Sequence, residues 1–65
     1  MRYFATRLDV DKPLIYKINS NNRVLWYSFH QKKWFTENEN VLLDKMKEYS
    51  KEQVESFLYM RELVS

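Results

Sequence analysis

Three residue types that usually shape a small domain are missing or nearly so. The 65 residues include no cysteine, no glycine and one proline. The lack of cysteine excludes a disulfide framework, a thiolate zinc site and cysteine redox chemistry. The lack of glycine means that any left-handed backbone position falls to another residue, most readily asparagine. We therefore expect the tip of the asparagine-rich stretch 19–23 at Asn21-Asn22.

Long apolar runs are also missing. The longest, Val24 to Tyr27, is far short of the ~20 residues that cross a bilayer. Met1-Arg2 leads into mixed residues and not into the apolar run of a signal peptide. The sequence therefore predicts a cytoplasmic protein with no membrane contact, built as one small domain over residues 1–65.

Aromatic residues are what the chain has instead, at 17% of the total. A chain this short has few ways to stabilise a fold without disulfides, and dense aromatic packing or oligomerisation are two of them. In the first half the apolar residues alternate over 2–8, 14–18, 24–29 and 34–36, as in half-buried strands. This pattern predicts an antiparallel meander of three or four strands.

The second half changes to helical spacing, over about 38–64. Leu42, Met46 and Tyr49 recur at helical intervals, and Ser50 with Gln53 forms a capping box before a second apolar stripe. One helix bent near Ser50 is possible; a short helix followed by a longer one is favoured, because serine prefers caps. The fold class is α+β, with one or two C-terminal helices packed on one sheet face.

The stretch VLWYSFHQKKWF, residues 24–35, holds the most informative pattern. Because side chains alternate along a strand, Leu25, Tyr27 and Phe29 point to one face, which is the more apolar and is assigned to the core. Trp26 then lies on the uncovered face, beside His30 and either Trp34 or Phe35. An exposed aromatic pair often marks an interaction surface. The alternative is that Trp26 packs on loops, on the N-terminal strand or on a second copy.

Charge is unevenly divided along the chain. Residues 1–35 hold seven Lys/Arg and two Asp, whereas residues 36–65 hold four Lys/Arg and seven Asp/Glu. The asymmetry suggests a basic and an acidic face; the alternative is that strands and helices simply differ in surface residues. Cations beside aromatic rings suit single-stranded nucleic acid. The candidate partner-binding residues are Trp26, His30, Trp34, Lys32, Lys33 and Arg23.

No catalytic or metal signature is present. His30 is the only histidine, and no second residue can be placed near it as a nucleophile or base. Asp9-Val10-Asp11 has the start of a calcium loop, but the required glycine and glutamate are replaced by Leu14 and Ser20. We expect no enzyme activity, no cofactor, no metal and no small-molecule substrate.

The segments YFATRL, PLIYKINSNNRVLWYSFHQKKWF and SKEQVESFL together resemble small uncharacterised single-domain proteins of low-GC Gram-positive bacteria and their phages. In those proteins a Tyr- and Trp-rich meander precedes a helix that begins S-x-E-x-V/A. The resemblance implies no activity or functional residue. The sequence as a whole predicts a small non-enzymatic binding or regulatory module that acts through protein contact or through self-association, for example as a homodimer. The alternative is a weak nucleic-acid-binding protein that uses the basic N-terminal half.

Overall fold

A computed structural model of the chain describes residues 1–38 and 43–64, with the last two of these described in backbone only. The strands are β1 (Arg2–Ala5), β2 (Ile15–Ile18), β3 (Val24–Ser28), β4 (Lys33–Thr36) and β5 (Lys47–Tyr49). A 3₁₀ turn covers Leu43–Lys45, and one helix, α1, covers Lys51–Val64. The α+β fold class is confirmed.

The strands form one antiparallel sheet in the order β4-β3-β2-β1-β5. The first four make the expected meander. The turn between β2 and β3 confirms the role expected of asparagine: Asn22 has φ 63°, and the Asn19 side-chain oxygen accepts hydrogen bonds from the backbone N–H groups of Asn21 and Arg23, both at 3.0 Å. A second left-handed residue, Lys32 with φ 58°, lies in the β3–β4 turn and was not foreseen.

The fifth strand corrects the expectation of helix throughout residues 38–64. Lys47–Tyr49 pairs with β1, with Tyr49 opposite Tyr3, so Met46 and Tyr49 do not share one helix. The physical reason is that β1 offers an open edge, and backbone pairing there outweighs weak local helix propensity. Leu42, which the helical pattern included, lies outside the described residues.

The start of α1 confirms the capping box. The Ser50 backbone N–H donates to Gln53 Oε1 at 2.8 Å, and the Gln53 N–H donates to Ser50 Oγ at 3.1 Å. Each side chain thus satisfies a backbone donor that the first helical turn leaves unpaired. The result is a helix that begins directly after β5 and turns back over the sheet.

The core lies between α1 and one face of the sheet, which we call the inner face. Tyr3, Ala5, Ile15 and Val54 are its buried centre, and they are surrounded by partly buried apolar residues that include Tyr27, Phe29, Phe57 and Leu58. The prediction that Leu25, Tyr27 and Phe29 point to the core is confirmed for Tyr27 and Phe29 by these contacts, and the pairing register puts Leu25 on the same face. Trp26 therefore points to the opposite, outer face.

Candidate binding surface on the outer face of the sheet

One row of aromatic side chains crosses the outer face. The pairing register places Phe4 opposite Tyr16, Tyr16 opposite Trp26, and Trp26 opposite Phe35. Directly opposed residues of antiparallel strands point to the same side. Four neighbouring strands, β1 to β4, thus each contribute one ring to a continuous band. We call Phe4, Tyr16, Trp26 and Phe35 the aromatic row.

The two ends of the row differ in exposure. Phe4 is only 6% exposed, and the Arg2 guanidinium lies 5.1 Å from its ring centroid. Arg2 in turn makes two hydrogen bonds to the Glu48 carboxylate, at 2.9 and 3.0 Å, and Glu48 lies opposite Phe4 on β5. At the other end, Phe35 is half-buried and its neighbour Trp26 is 37% exposed. The open end of the row is therefore formed by Trp26 and Phe35, on β3 and β4.

Trp26 and Phe35 form a stacked pair. Their ring centroids are 5.2 Å apart with an interplanar angle of 26°, and Lys33 Nζ lies 5.1 Å from the Phe35 centroid. A ring pair of this kind contributes about 0.5–1.5 kcal/mol beyond its buried area, which favours the observed positions of both rings. The pair thus presents an apolar surface with a cation at its edge.

A groove adjoins this pair at one end of the sheet. Leu14, which is 58% exposed, lines it together with Pro13, Trp26 and His30. The exposure of Leu14 and Trp26 beside each other makes this the part of the outer face where apolar surface meets water. His30 stands in the β3–β4 turn, as expected, and is exposed.

The structure brings together only some of the residues proposed from sequence. Trp26, His30 and Lys33 lie at the outer face or its groove, as expected, and the partner of Trp26 is Phe35. Trp34 points to the inner face, where its ring contacts Tyr27 at 5.2 Å in an edge-to-face arrangement, because adjacent residues of a strand point oppositely.

The remaining two cations are also apart from the row. Lys32 lines a small cavity on the helix side together with Phe29, Leu58 and Glu62. Arg23 lies in the β2–β3 turn, at the far end of β3 from Lys33, which is roughly 16 Å along the strand. The six candidates therefore do not form one surface.

Sequence reasoning missed Phe4, Tyr16 and Leu14 as members of this surface. Alternation alone places Tyr16 and Leu14 on one face of the second strand. Their alignment with Trp26 depends on the register, which the length of the β2–β3 turn determines. That turn closes with Asn19 N–H donating to the Arg23 carbonyl, and this pair fixes Tyr16 opposite Trp26.

On the outer face, the hydrogen bonds from Arg2 lower the pKa of Glu48, whereas the groups whose pKa values are shifted mainly by burial lie on the inner face. Burial lowers the pKa of the Lys17 amine, with the nearby Glu55 carboxylate opposing that change, and Lys17 Nζ lies 4.3 Å from the Trp34 ring centroid. Burial likewise raises the pKa of Tyr27. These shifts follow from packing beneath the helix. The outer face offers rings, an imidazole and a cation, which are groups that bind by stacking, apolar contact and charge.

Comparison with known proteins found no match: no protein-family model, no curated protein and no solved structure is similar to this chain. Within the described residues no helix is both long and apolar enough to span a membrane. The same residues contain no cluster of three or more His, Asp or Glu side chains that could hold a metal ion.

Proposed function

We propose that this protein is a small non-enzymatic binding module, and that it acts through protein contact at the open end of the aromatic row. The observation that carries the proposal is the stacked Trp26–Phe35 pair, with Trp26 37% exposed on the face that α1 does not cover. The cytoplasm is its expected location.

Physical reasoning supports a protein surface as the ligand. A partner that covers Trp26 and Leu14 removes apolar area from water, which contributes about 25 cal/mol per Å². The rings are already held by stacking, so little side-chain entropy is lost when they are covered. Tryptophan is also among the residues that most often dominate interface energies. The polar side chains of Lys33 and His30 at the edge resemble the polar rim that surrounds such centres.

The test is capture of partners from cells of the native host by the tagged protein and by two alanine variants. Trp26→Ala removes the centre of the surface, and Tyr59→Ala removes an aromatic residue on α1 that is 62% exposed. We expect Trp26→Ala to lose specific partners with affinity falling by a factor of roughly ten or more. Tyr59→Ala serves as the matched control and should retain them. Equal capture by the wild type and both variants, with no change in self-association of Trp26→Ala, contradicts the proposal.

A second candidate function is single-stranded nucleic-acid binding at the same place. The observation in its favour is Lys33, whose Nζ lies beside the Phe35 ring next to Trp26, because bases stack on such rings while cations contact phosphate. This function predicts salt-dependent oligonucleotide binding that Lys33→Glu weakens. A flat titration with single- and double-stranded oligonucleotides at low salt rules it out.

A further inference from the structure

We infer that the outer edge of β4 pairs with β4 of a second copy of this chain, antiparallel, with Phe35 opposite Phe35. The inference rests on the proposed function and deepens it, because it identifies the partner of the open end of the aromatic row as a second copy. Three features of the molecule support this pairing: the β4 residues whose backbone groups point outward, the contrast between the two sheet edges, and the charges at the ends of the strand.

One hydrogen bond beyond the last paired residue of β4 shows which residues of this strand bond β3 and which direct their backbone groups outward. Glu37 N–H donates to the Val24 carbonyl at 2.8 Å, which continues the register that pairs Phe35 with Trp26. In an antiparallel ladder, residues alternate between those that bond the neighbouring strand and those that point away from it. Trp34 and Thr36 therefore direct their N–H and C=O groups to the outer side, where none of the described strands pairs with them.

The two edges of the sheet are built differently. β5 has three residues and presents the exposed charged pair Lys47 and Glu48, and short charged strands are a common protection against edge pairing. β4 has four residues with Trp34 and Phe35, both half-buried, at its centre. It contains no proline to block a ladder. The β4 edge is thus the one suited to accept another strand.

The charges select the register. When Phe35 lies opposite Phe35 of the second copy, the same spacing puts Lys33 opposite Glu37 on both sides of the twofold axis. Opposite charges at directly facing positions stabilise strand pairs. Within one chain the two residues are four apart on the strand, roughly 13 Å, so this attraction is specific to the dimer. A parallel pairing would instead align Lys33 with Lys33.

The paired edge also extends the aromatic row. Phe35 is in a non-hydrogen-bonded position of the new ladder, where facing side chains are closest. The row of each copy ends at Phe35, so the two rows join into one band across the dimer. Trp26 stacks on Phe35 and holds that ring in place. Trp26→Ala is therefore expected to weaken the dimer without touching the paired backbone.

The first experiment measures mass by light scattering as concentration rises. The short edge predicts a dimer, twice the 8.1 kDa of the chain, that forms progressively and is evident by about 1 mM. Lys33→Glu and Glu37→Lys should each shift the protein to the monomer, because like charges then face each other. The double variant Lys33→Glu/Glu37→Lys should restore the wild-type dimer.

Circular dichroism of each variant shows whether it is folded. This control is necessary because Glu37 also has an interaction within its own chain. Rescue by the double variant is the outcome that a structural defect does not produce. A wild type that stays at 8.1 kDa up to about 1 mM overturns the inference. The inference is also overturned if the double variant is folded but remains as monomeric as the two single variants.

The second experiment tests the register by disulfide formation, which a chain without native cysteine reports unambiguously. Phe35→Cys places the two sulfur atoms on facing residues whose Cα atoms are about 4.5 Å apart, within disulfide range. Lys33→Cys is the matched control, because its two copies lie more than about 7 Å apart. Equal cross-linking of both variants overturns the register.

The two proposals fail separately. If the chain is monomeric but Trp26→Ala still loses a captured protein, the second-copy inference falls and the binding module stands. If neither the mass nor the captured proteins respond to Trp26→Ala, the proposed function itself falls.

Discussion

The two tryptophans offer the sharpest test of which face is the core. They lie on neighbouring strands but point to opposite faces, Trp26 outward and Trp34 inward beneath α1. Alanine substitution of each removes the same atoms. We expect Trp34→Ala to lower the free energy of unfolding by clearly more than Trp26→Ala does.

The difference follows from the ring contacts. Trp34 meets Tyr27 at 5.2 Å and Tyr3 at 6.2 Å, both edge-to-face, and Lys17 Nζ at 4.3 Å. With about 0.5–1.5 kcal/mol for each aromatic pair and about 0.5–1 kcal/mol for the cation, these contacts contribute about 3 kcal/mol. For Trp26, the ring contact described is the stack on Phe35, about 1 kcal/mol. Loss of buried apolar area adds to both values.

Urea unfolding followed by far-ultraviolet circular dichroism measures both changes, since the variants lose a fluorophore but not the backbone signal. Low protein concentration keeps self-association out of the comparison. A domain of this length has a total free energy of unfolding of about 3–10 kcal/mol, so Trp34→Ala could unfold it. Trp34→Phe, which keeps one ring, is therefore included as a milder variant. If Trp26→Ala costs as much as Trp34→Ala, the assignment of the two faces is refuted.

Three smaller predictions concern the frame that supports the surface. Ile15 is 1% exposed, so Ile15→Val should lower the free energy of unfolding in urea by about 0.5–1.5 kcal/mol. Leu14→Ala deletes more atoms but should change it by no more than about 0.5 kcal/mol. The reverse order would contradict the burial of Ile15 and the exposure of Leu14. Ser50→Ala removes the cap and should cost about 1 kcal/mol by the same assay; no change would contradict a working capping box. The Arg61 guanidinium lowers the pKa of Asp11 below its ordinary value of 3.8, so its stabilising effect is present above that pH and is lost as the pH falls through the folded-state value. The urea midpoints of the wild type and Asp11→Asn should therefore converge in acid, and a constant difference would refute the ion pair.

Sequence reasoning reached the features that depend on local rules. Trp26 could be placed outside because alternation is a property of any strand, and Ser50 could be placed at a helix start because the capping box is a contact between residues three apart. The asparagine at positive φ followed from the lack of glycine. Each of these conclusions needed only neighbours along the chain.

The missed features depend on distant parts of the chain. In the segment Lys47–Tyr49, Tyr49 lies at helical spacing from Met46. The segment is nevertheless a strand, because it pairs with β1. The choice between Trp34 and Phe35 as the partner of Trp26 depended on the length of the β3–β4 turn, which closes with Lys32 at positive φ. No sequence signal marks a lysine for that conformation, since lysine rarely adopts it.

The exposure of Trp26 follows from the single layer that covers the sheet. On the inner face, Tyr3 of β1 and Trp34 of β4 have ring centroids only 6.2 Å apart, and both rings belong to the core that α1 covers. Among the described residues no second layer packs on the outer face, so Trp26 stays 37% exposed. A second copy paired at β4 would lie beside Phe35 and would therefore cover the end of the aromatic row that the helix does not reach.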